Sequence, residues 1–255
     1  MSTDLNIVLN NIFKKIEQFA LSQTKPDDLT LQRLKKDAKS LTKLNRSFSA
    51  MTLGLLASIE GDYDECVKQH TRSLELGKDP VLNLNHALSM KTLGHNAEAF
   101  RLIDKAMSLV PDVAKFIPIY LIIAFNAGQY ESIQACEDML RAQGTTNFHP
   151  VILQFFDDVN LIVLKVPLPF ATYPIIAAIQ EKLRLENNTG FTEYTLEEIN
   201  GELYYWSLVN AATETIDQMN SQLKNELNQL ENICLDGFHI AFRAKEISAE
   251  TNTWT

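Results

Sequence analysis

Three stretches decide how this chain folds: GDYDECVKQHTRSLELGKDP from Gly61, GHNAEAFRLIDKAMSLVP from Gly94 and GQYESIQACEDMLRAQG from Gly128. They align without gaps, and their leading glycines stand 33 and then 34 residues apart. Five residues after each glycine comes Cys66, Ala99 or Ile133, and twelve after it Ser73, Ala106 or Leu140. Ahead of the three glycines lie SFSAMTLGLLASIE, PVLNLNHALSMKTL and AKFIPIYLIIAFNA, each patterned as a helix. A period of this length is the mark of stacked supersecondary units. Glycine permits the tight reversal between two helices, and small residues let the helices approach closely. Helical hairpins are therefore expected over about residues 47–143.

The pattern resembles the tetratricopeptide repeat (TPR) family, whose unit is a pair of antiparallel helices. Leu53-Gly54 matches the Leu-Gly pair of the family's first helix, which becomes His86-Ala87 and Tyr120-Leu121 in the later units. Tyr63 and Tyr130 match the aromatic after the turn, where the middle unit has Asn96, and the closing proline is Pro111. The resemblance implies a concave groove, with Met51, Leu55, Leu84, Asn85, Leu88, Lys115 and Ile122 as its partner-binding residues. Some members clamp a chaperone's C-terminal carboxylate with Lys, Asn and Arg. Here only Asn85 and Lys115 match, while Met51, Leu55 and Ile119 are apolar, which argues against that ligand. An apolar groove of this kind suits an amphipathic helix or part of the chain itself.

Toward the N-terminus, residues 5–22 and 28–46 read as two more helices. Leu5, Val8, Leu9, Ile12, Phe13, Ile16, Phe19 and Ala20 recur at helical spacing, and Pro26-Asp27-Asp28 marks a break and a helix start. This pair is expected to cap the repeat array, giving an all-α domain over residues 1–147.

Beyond residue 148 the period changes. Leu161–Val166 is a β-branched and leucine run bounded by prolines and reads as a buried strand; Pro174–Glu186 reads as an amphipathic helix. FTEYTLEEI and ELYYWSLV flank Asn200-Gly201, the strongest short-range hairpin signal, which places a β-hairpin at residues 191–209. Thr195-x-x-Glu198 also fits a helix capping box, the rival reading. Ile216, Met219, Leu223, Leu227 and Leu230 mark a long helix, and Phe238, Ile240 and Phe242 alternate as a last strand. The order strand, helix, strand, strand, helix, strand is that of a split βαβ, ferredoxin-like domain over residues 148–255. The fold class expected is thus α+β, a TPR-like array followed by this small domain.

Of 255 residues, 45% are hydrophobic and 22% charged, with a net charge of -9. That composition is globular and sufficient for two domains. Three cysteines exclude a disulfide scaffold. The charge is uneven: +4 over residues 1–46, -4 over 47–143 and -9 over 144–255. An acidic balance argues against general nucleic-acid binding. The cluster Arg33, Lys35, Lys36, Lys39, Lys43 and Arg46 reads first as a solvated helix face, and otherwise as the arm of an RNA-contacting regulator. MSTDLNIVLNN lacks the features of a secretory signal. Leu161–Ile179, the most apolar stretch, carries Lys165 and three prolines and reads as core, not as a membrane span. A cytoplasmic protein without a membrane partner is expected.

The sequence has no Gly-rich phosphate loop, HExxH, GxSxG or CxxC. His70, His86, His95, His149 and His239 are scattered, with His70 and His86 on packing positions. Asp157-Asp158 reads as a solvated acid pair before a strand. Glu197, Glu198 and Glu202 would guard the hairpin against aggregation, and Tyr204, Tyr205 and Trp206 would alternate between faces. No catalytic, cofactor-binding or metal-binding residue is assigned. The expectation is a non-catalytic interaction module or adaptor, in a narrower form an immunity or antitoxin-like inhibitor of a basic protein. A homodimer through the C-terminal sheet fits the same pattern. The alternative class is an enzyme with a pocket beneath Tyr204–Trp206.

Overall fold

A computed structural model of the chain describes residues 3–22, 26–109, 113–166, 168–189, 193–230, 233 and 235–245. Pro111, Pro167, Gly190, Cys234 and the tail from Ser248 lie outside them, as do the side chains of Leu5, Val8 and Ala20. Mostly helical, with a small sheet near the C-terminus, the chain is of the α+β class. It forms two compact units, Met1–Ile123 and Ala124–Thr255.

The first unit begins with α1 (Thr3–Ser22) and α2 (Asp28–Ser40). Asp27 caps α2, its carboxylate accepting from the Thr30 backbone N–H at 2.8 Å, which satisfies a donor the helix cannot. Leu9 and Ile12 of α1 and Leu34 and Ala38 of α2 share a core with Phe48 and Met51 of α3 (Arg46–Glu60). Burying a side chain such as Met51 is worth about 1.5–3 kcal/mol. Two helical hairpins follow: α3 with α4 (Tyr63–Leu76), and α5 (Pro80–Thr92) with α6 (Asn96–Met107). Gly61 and Gly94 turn them at φ of 84° and 87°, a conformation costly for any residue with a Cβ.

Buried polar groups set the spacing between helices. A Cβ on Gly54 of α3 would stand 2.6 Å from the ring of His70 on α4, so glycine is what admits the imidazole. The His70 ring lies 4.7 Å from that of His86 on α5, stacked at 9°, and its Nε2 pairs with Ser89 Oγ at 2.8 Å. Burial pushes the His70 pKa down to about 3 and that of His86 downward as well, so both rings are neutral at physiological pH. Ser73 Oγ donates to the Ser47 carbonyl at 2.8 Å, tying α4 to the start of α3.

The division between units falls inside α7 (Ile117–Asn126). The second unit therefore takes the end of α7 together with α8 (Tyr130–Ala142), α9 (Pro150–Lys165), α10 (Thr172–Glu186), β1 (Glu193–Ile199), β2 (Glu202–Val209), α11 (Thr213–Asn228) and β3 (Phe238–Ala244). Gly128, at φ 68°, turns α7 into α8, and a Cβ there would come within 2.5 Å of the Tyr173 carbonyl oxygen. Asn200 and Gly201 both have positive φ, 55° and 85°, as a two-residue hairpin turn demands. The hairpin registers Ile199 with Glu202 and Thr195 with Trp206, and the rival capping-box helix does not form.

The run expected as a strand at 161–166 is instead the end of α9. Phe155, Val159, Ile162 and Val166 are buried at spacings of three and four, whereas Leu164, which a buried strand would hide, is 78% exposed. The apolar period extends back to Phe155, and that length selects helix over β-branched preference. Among the described residues, the first strand of the expected split βαβ is therefore a helix. The sheet has three strands in the order β1-β2-β3, with β1 antiparallel to β2 and β2 parallel to β3 through the α11 crossover. Leu203, Tyr205 and Val209 point inward; Leu183, Ile216, Met219, Leu223 and Phe242 complete the core beside Val209.

Candidate partner-binding surfaces

The seven groove residues implied by the resemblance divide by burial. Met51 is fully enclosed in the core with α1 and α2, and Leu55 and Leu84 are buried too. These three are taken up by the protein's own packing. The slot pattern marks which helix face turns inward but cannot say how completely other elements cover it. Asn85, Leu88 and Ile122 are half-buried, and Lys115 is exposed. Asn85 Nδ2 donates to the Val81 carbonyl at 2.8 Å, one turn back in its own helix.

The basic cluster lies on the solvated side of α2 and just beyond. Arg33, Lys36, Lys39, Lys43 and Arg46 are exposed, while Lys35 pairs with Glu60 of α3 at 2.7 Å. Asp157 is exposed, but its neighbour Asp158 is buried inside α9, where it accepts from Tyr194 Oη at 2.9 Å and Gln154 Nε2 at 2.7 Å. Burial raises the Asp158 pKa. Sequence reading missed this pairing, since its partners are 36 residues apart. Tyr194 also stacks on Phe125 at 4.0 Å and on Tyr205 at 5.7 Å, forming the aromatic interior of the second unit.

Beneath Tyr205 lie two adjoining cavities, lined on the polar side by Gln180, Arg184, Ser207 and Asn126. Gln180 Nε2 donates to Ser207 Oγ at 2.8 Å, and Arg184 is buried on α10. Polar groups thus converge where the enzyme alternative requires them, but the space they leave is on the order of one or two waters.

The other face of the sheet is different in kind. Tyr204 and Trp206 of β2 point outward, half-exposed, and stack with ring centroids 5.7 Å apart. The imidazole of His239, from β3, stacks on Tyr204 at 4.4 Å, and the Arg243 guanidinium sits 5.6 Å above Trp206. Carboxylates rim the row. Glu197 accepts from Trp206 Nε1 and from Arg243, each at 3.2 Å; Glu202 pairs with His239 at 3.0 Å. Alternation along β2 puts these aromatics on one face and its core residues on the other, as the sequence reading expected of Tyr204, Tyr205 and Trp206.

This face belongs to the more acidic unit. Residues 124–255 hold 18 Asp/Glu against 7 Lys/Arg, a net -11, whereas residues 1–123 hold 14 against 16, a net +2. Among the described residues no helix is long and apolar enough to cross a membrane, and no group of three or more His, Cys, Asp or Glu is placed to hold a metal ion. Compared with family models, with curated proteins and with solved structures, the chain gives no match.

Proposed function

We propose that the chain is a non-catalytic cytoplasmic adaptor whose TPR-like helix pairs make one protein contact and whose acidic C-terminal unit makes another, to a basic protein. The observation that carries this reading is the outer face of the sheet. A half-exposed Tyr204-Trp206 row, with carboxylates at its rim and its opposite face packed as core, is the composition of an interaction surface rather than of a solvated one. The net charge of -11 on the same unit would steer a cationic partner toward it. An immunity or antitoxin-like inhibitor of a basic enzyme is the narrower form of this reading. The buried thiols of Cys66 and Cys136 are in keeping with a reducing compartment. The enzyme reading is weaker, because the polar groups beneath Tyr205 enclose no substrate-sized space.

The test is affinity capture with the full chain beside a Tyr204→Ala, Trp206→Ala double variant, at low and high salt. The reading expects a stoichiometric partner that the native chain holds, that salt weakens and that the double variant loses while its melting temperature changes little. Capture that is identical for both chains and indifferent to salt would refute it.

A further inference from the structure

The two edges of the sheet are finished differently. In a two-residue hairpin the pair flanking the turn is hydrogen-bonded, so alternate pairs set which backbone groups face the neighbouring strand. With Ile199 opposite Glu202, the amides of Thr195, Glu197 and Ile199 face β2, and those of Tyr194, Leu196 and Glu198 point away from the sheet. On the far side, the Leu203 N–H bond to the Gly237 carbonyl and the Lys245 N–H bond to the Val209 carbonyl fix β3 likewise. They turn the backbone groups of Phe238, Ile240 and Phe242 outward.

The β3 edge is largely closed by the chain itself. The Asn220 side chain, from α11, acts as a substitute strand: its Oδ1 accepts from the Phe242 N–H at 2.7 Å and its Nδ2 donates to the Phe242 carbonyl at 3.0 Å. The Phe238 N–H is bonded to the Leu235 carbonyl at 2.9 Å. No such device meets β1. Among the described residues, nothing pairs with the outward backbone groups of Tyr194, Leu196 and Glu198. An unpaired strand edge invites another strand, and here one edge is plugged while the other is left.

We propose that the outer edge of β1 is a strand-addition site for an extended basic segment of a partner protein. This rests on the reading of the chain as an interaction module and names how its acidic unit engages. Charge selects the occupant. The exposed end of β1 carries Glu197 and Glu198, one on each face of the sheet, and a second copy laid on this edge would bring those carboxylates toward their own kind. Their present partners, Arg243 at 3.2 Å and Lys165 at 2.8 Å, are exposed pairs, which exchange at little cost. Adjacent lysines on an added strand point to opposite faces of the sheet and would meet both. Main-chain bonds would supply affinity and the two adjacent cations specificity.

The probe is a synthetic seven-residue peptide of valines around two adjacent lysines, beside the same peptide with glutamate for lysine, added to the full isotopically labelled chain. In the free chain, amide exchange at Tyr194, Leu196 and Glu198 should be fast while Thr195, Glu197 and Ile199 are protected. The lysine peptide should protect the first three and bind at least about tenfold tighter than the glutamate peptide. Leu196→Pro, which removes one outward donor at an edge position that tolerates proline, should abolish that protection. A Glu197→Lys, Glu198→Lys chain should reverse the preference between peptides, a readout independent of the first variant.

Edge amides already protected in the free chain would mean that the chain's own residues occupy the edge, and would overturn the proposal. So would equal binding of the two peptides, protection appearing at Ile240 instead, or protection caused by self-association at rising concentration. If the Leu196→Pro chain keeps a partner that the Tyr204→Ala, Trp206→Ala chain loses, the strand-addition site fails while the interaction module stands. A chain that captures nothing fails both.

Discussion

Replacing His70 with leucine should change how the protein responds to acid more than how stable it is at neutral pH. His70 is fully enclosed between Gly54, His86 and Ser89. Burial holds its folded pKa at about 3 against 6.5 when unfolded. Below 6.5 the unfolded chain takes up a proton at this site, whereas the folded chain does not until about 3. Stability is therefore complete above the unfolded value and is lost as pH falls through the window between the two. Each pH unit in that window costs about 1.4 kcal/mol, so about 2 kcal/mol is lost from this residue by about pH 5. His86 acts in the same direction. In His70→Leu the contact with Ser89 goes, a loss of about 1 kcal/mol near pH 7.5, but the acid penalty goes with it. The assay is urea unfolding of both chains at several values between about pH 7.5 and 5, where the gap between them should close and then invert. Parallel curves, with a constant difference at every pH, would show that His70 is protonated with equal ease in both states and would refute the reasoning.

Gly54→Ala should destabilise by about 1–3 kcal/mol, because the new methyl meets the His70 ring at 2.6 Å. Combining it with His70→Ala should cost less than the two changes summed, which thermal unfolding of the double-mutant cycle would measure. Gly128→Ala joins a positive φ to a 2.5 Å clash with the Tyr173 backbone, and should cost at least about 2 kcal/mol in the same assay. Burial raises the thiol pKa of Cys66 to about 12 and that of Cys136 to about 11. Neither should react with a thiol reagent at pH 8 until denaturant is added, as peptide mass mapping would record.

What could be read from the sequence was whatever is encoded over short distances. Gly61, Gly94 and Gly128 announce their reversals because glycine is the residue that turns left-handed without strain, and Asn200-Gly201 announces the hairpin for the same reason. Asp27 declares a helix start through a bond spanning three residues. The misreading came where more distant sequence decides. The 161–166 run has the local composition of a strand, and only its continuation to Phe155 reveals the helix. Met51, Leu55 and Leu84 carry the right side chains for a groove, but whether they face a partner depends on elements elsewhere in the chain. The Tyr194–Asp158 bond and the Asn220 bridge to Phe242 join residues 36 and 22 apart, and no local pattern marks either.

The parallel pairing of β2 with β3 also imposes an order of assembly. β1 and β2 meet across a two-residue turn and can zip within about 1–10 μs. β3 lies on the far side of α11, so the loop between Val209 and Phe238 must close before the third strand gains any contact in return. Until then β2 presents an unpaired edge of its own. Substitutions that weaken the α11 packing of Ile216, Met219 and Leu223 should therefore lengthen the time this edge stays bare, and slow folding should bring aggregation before it brings instability.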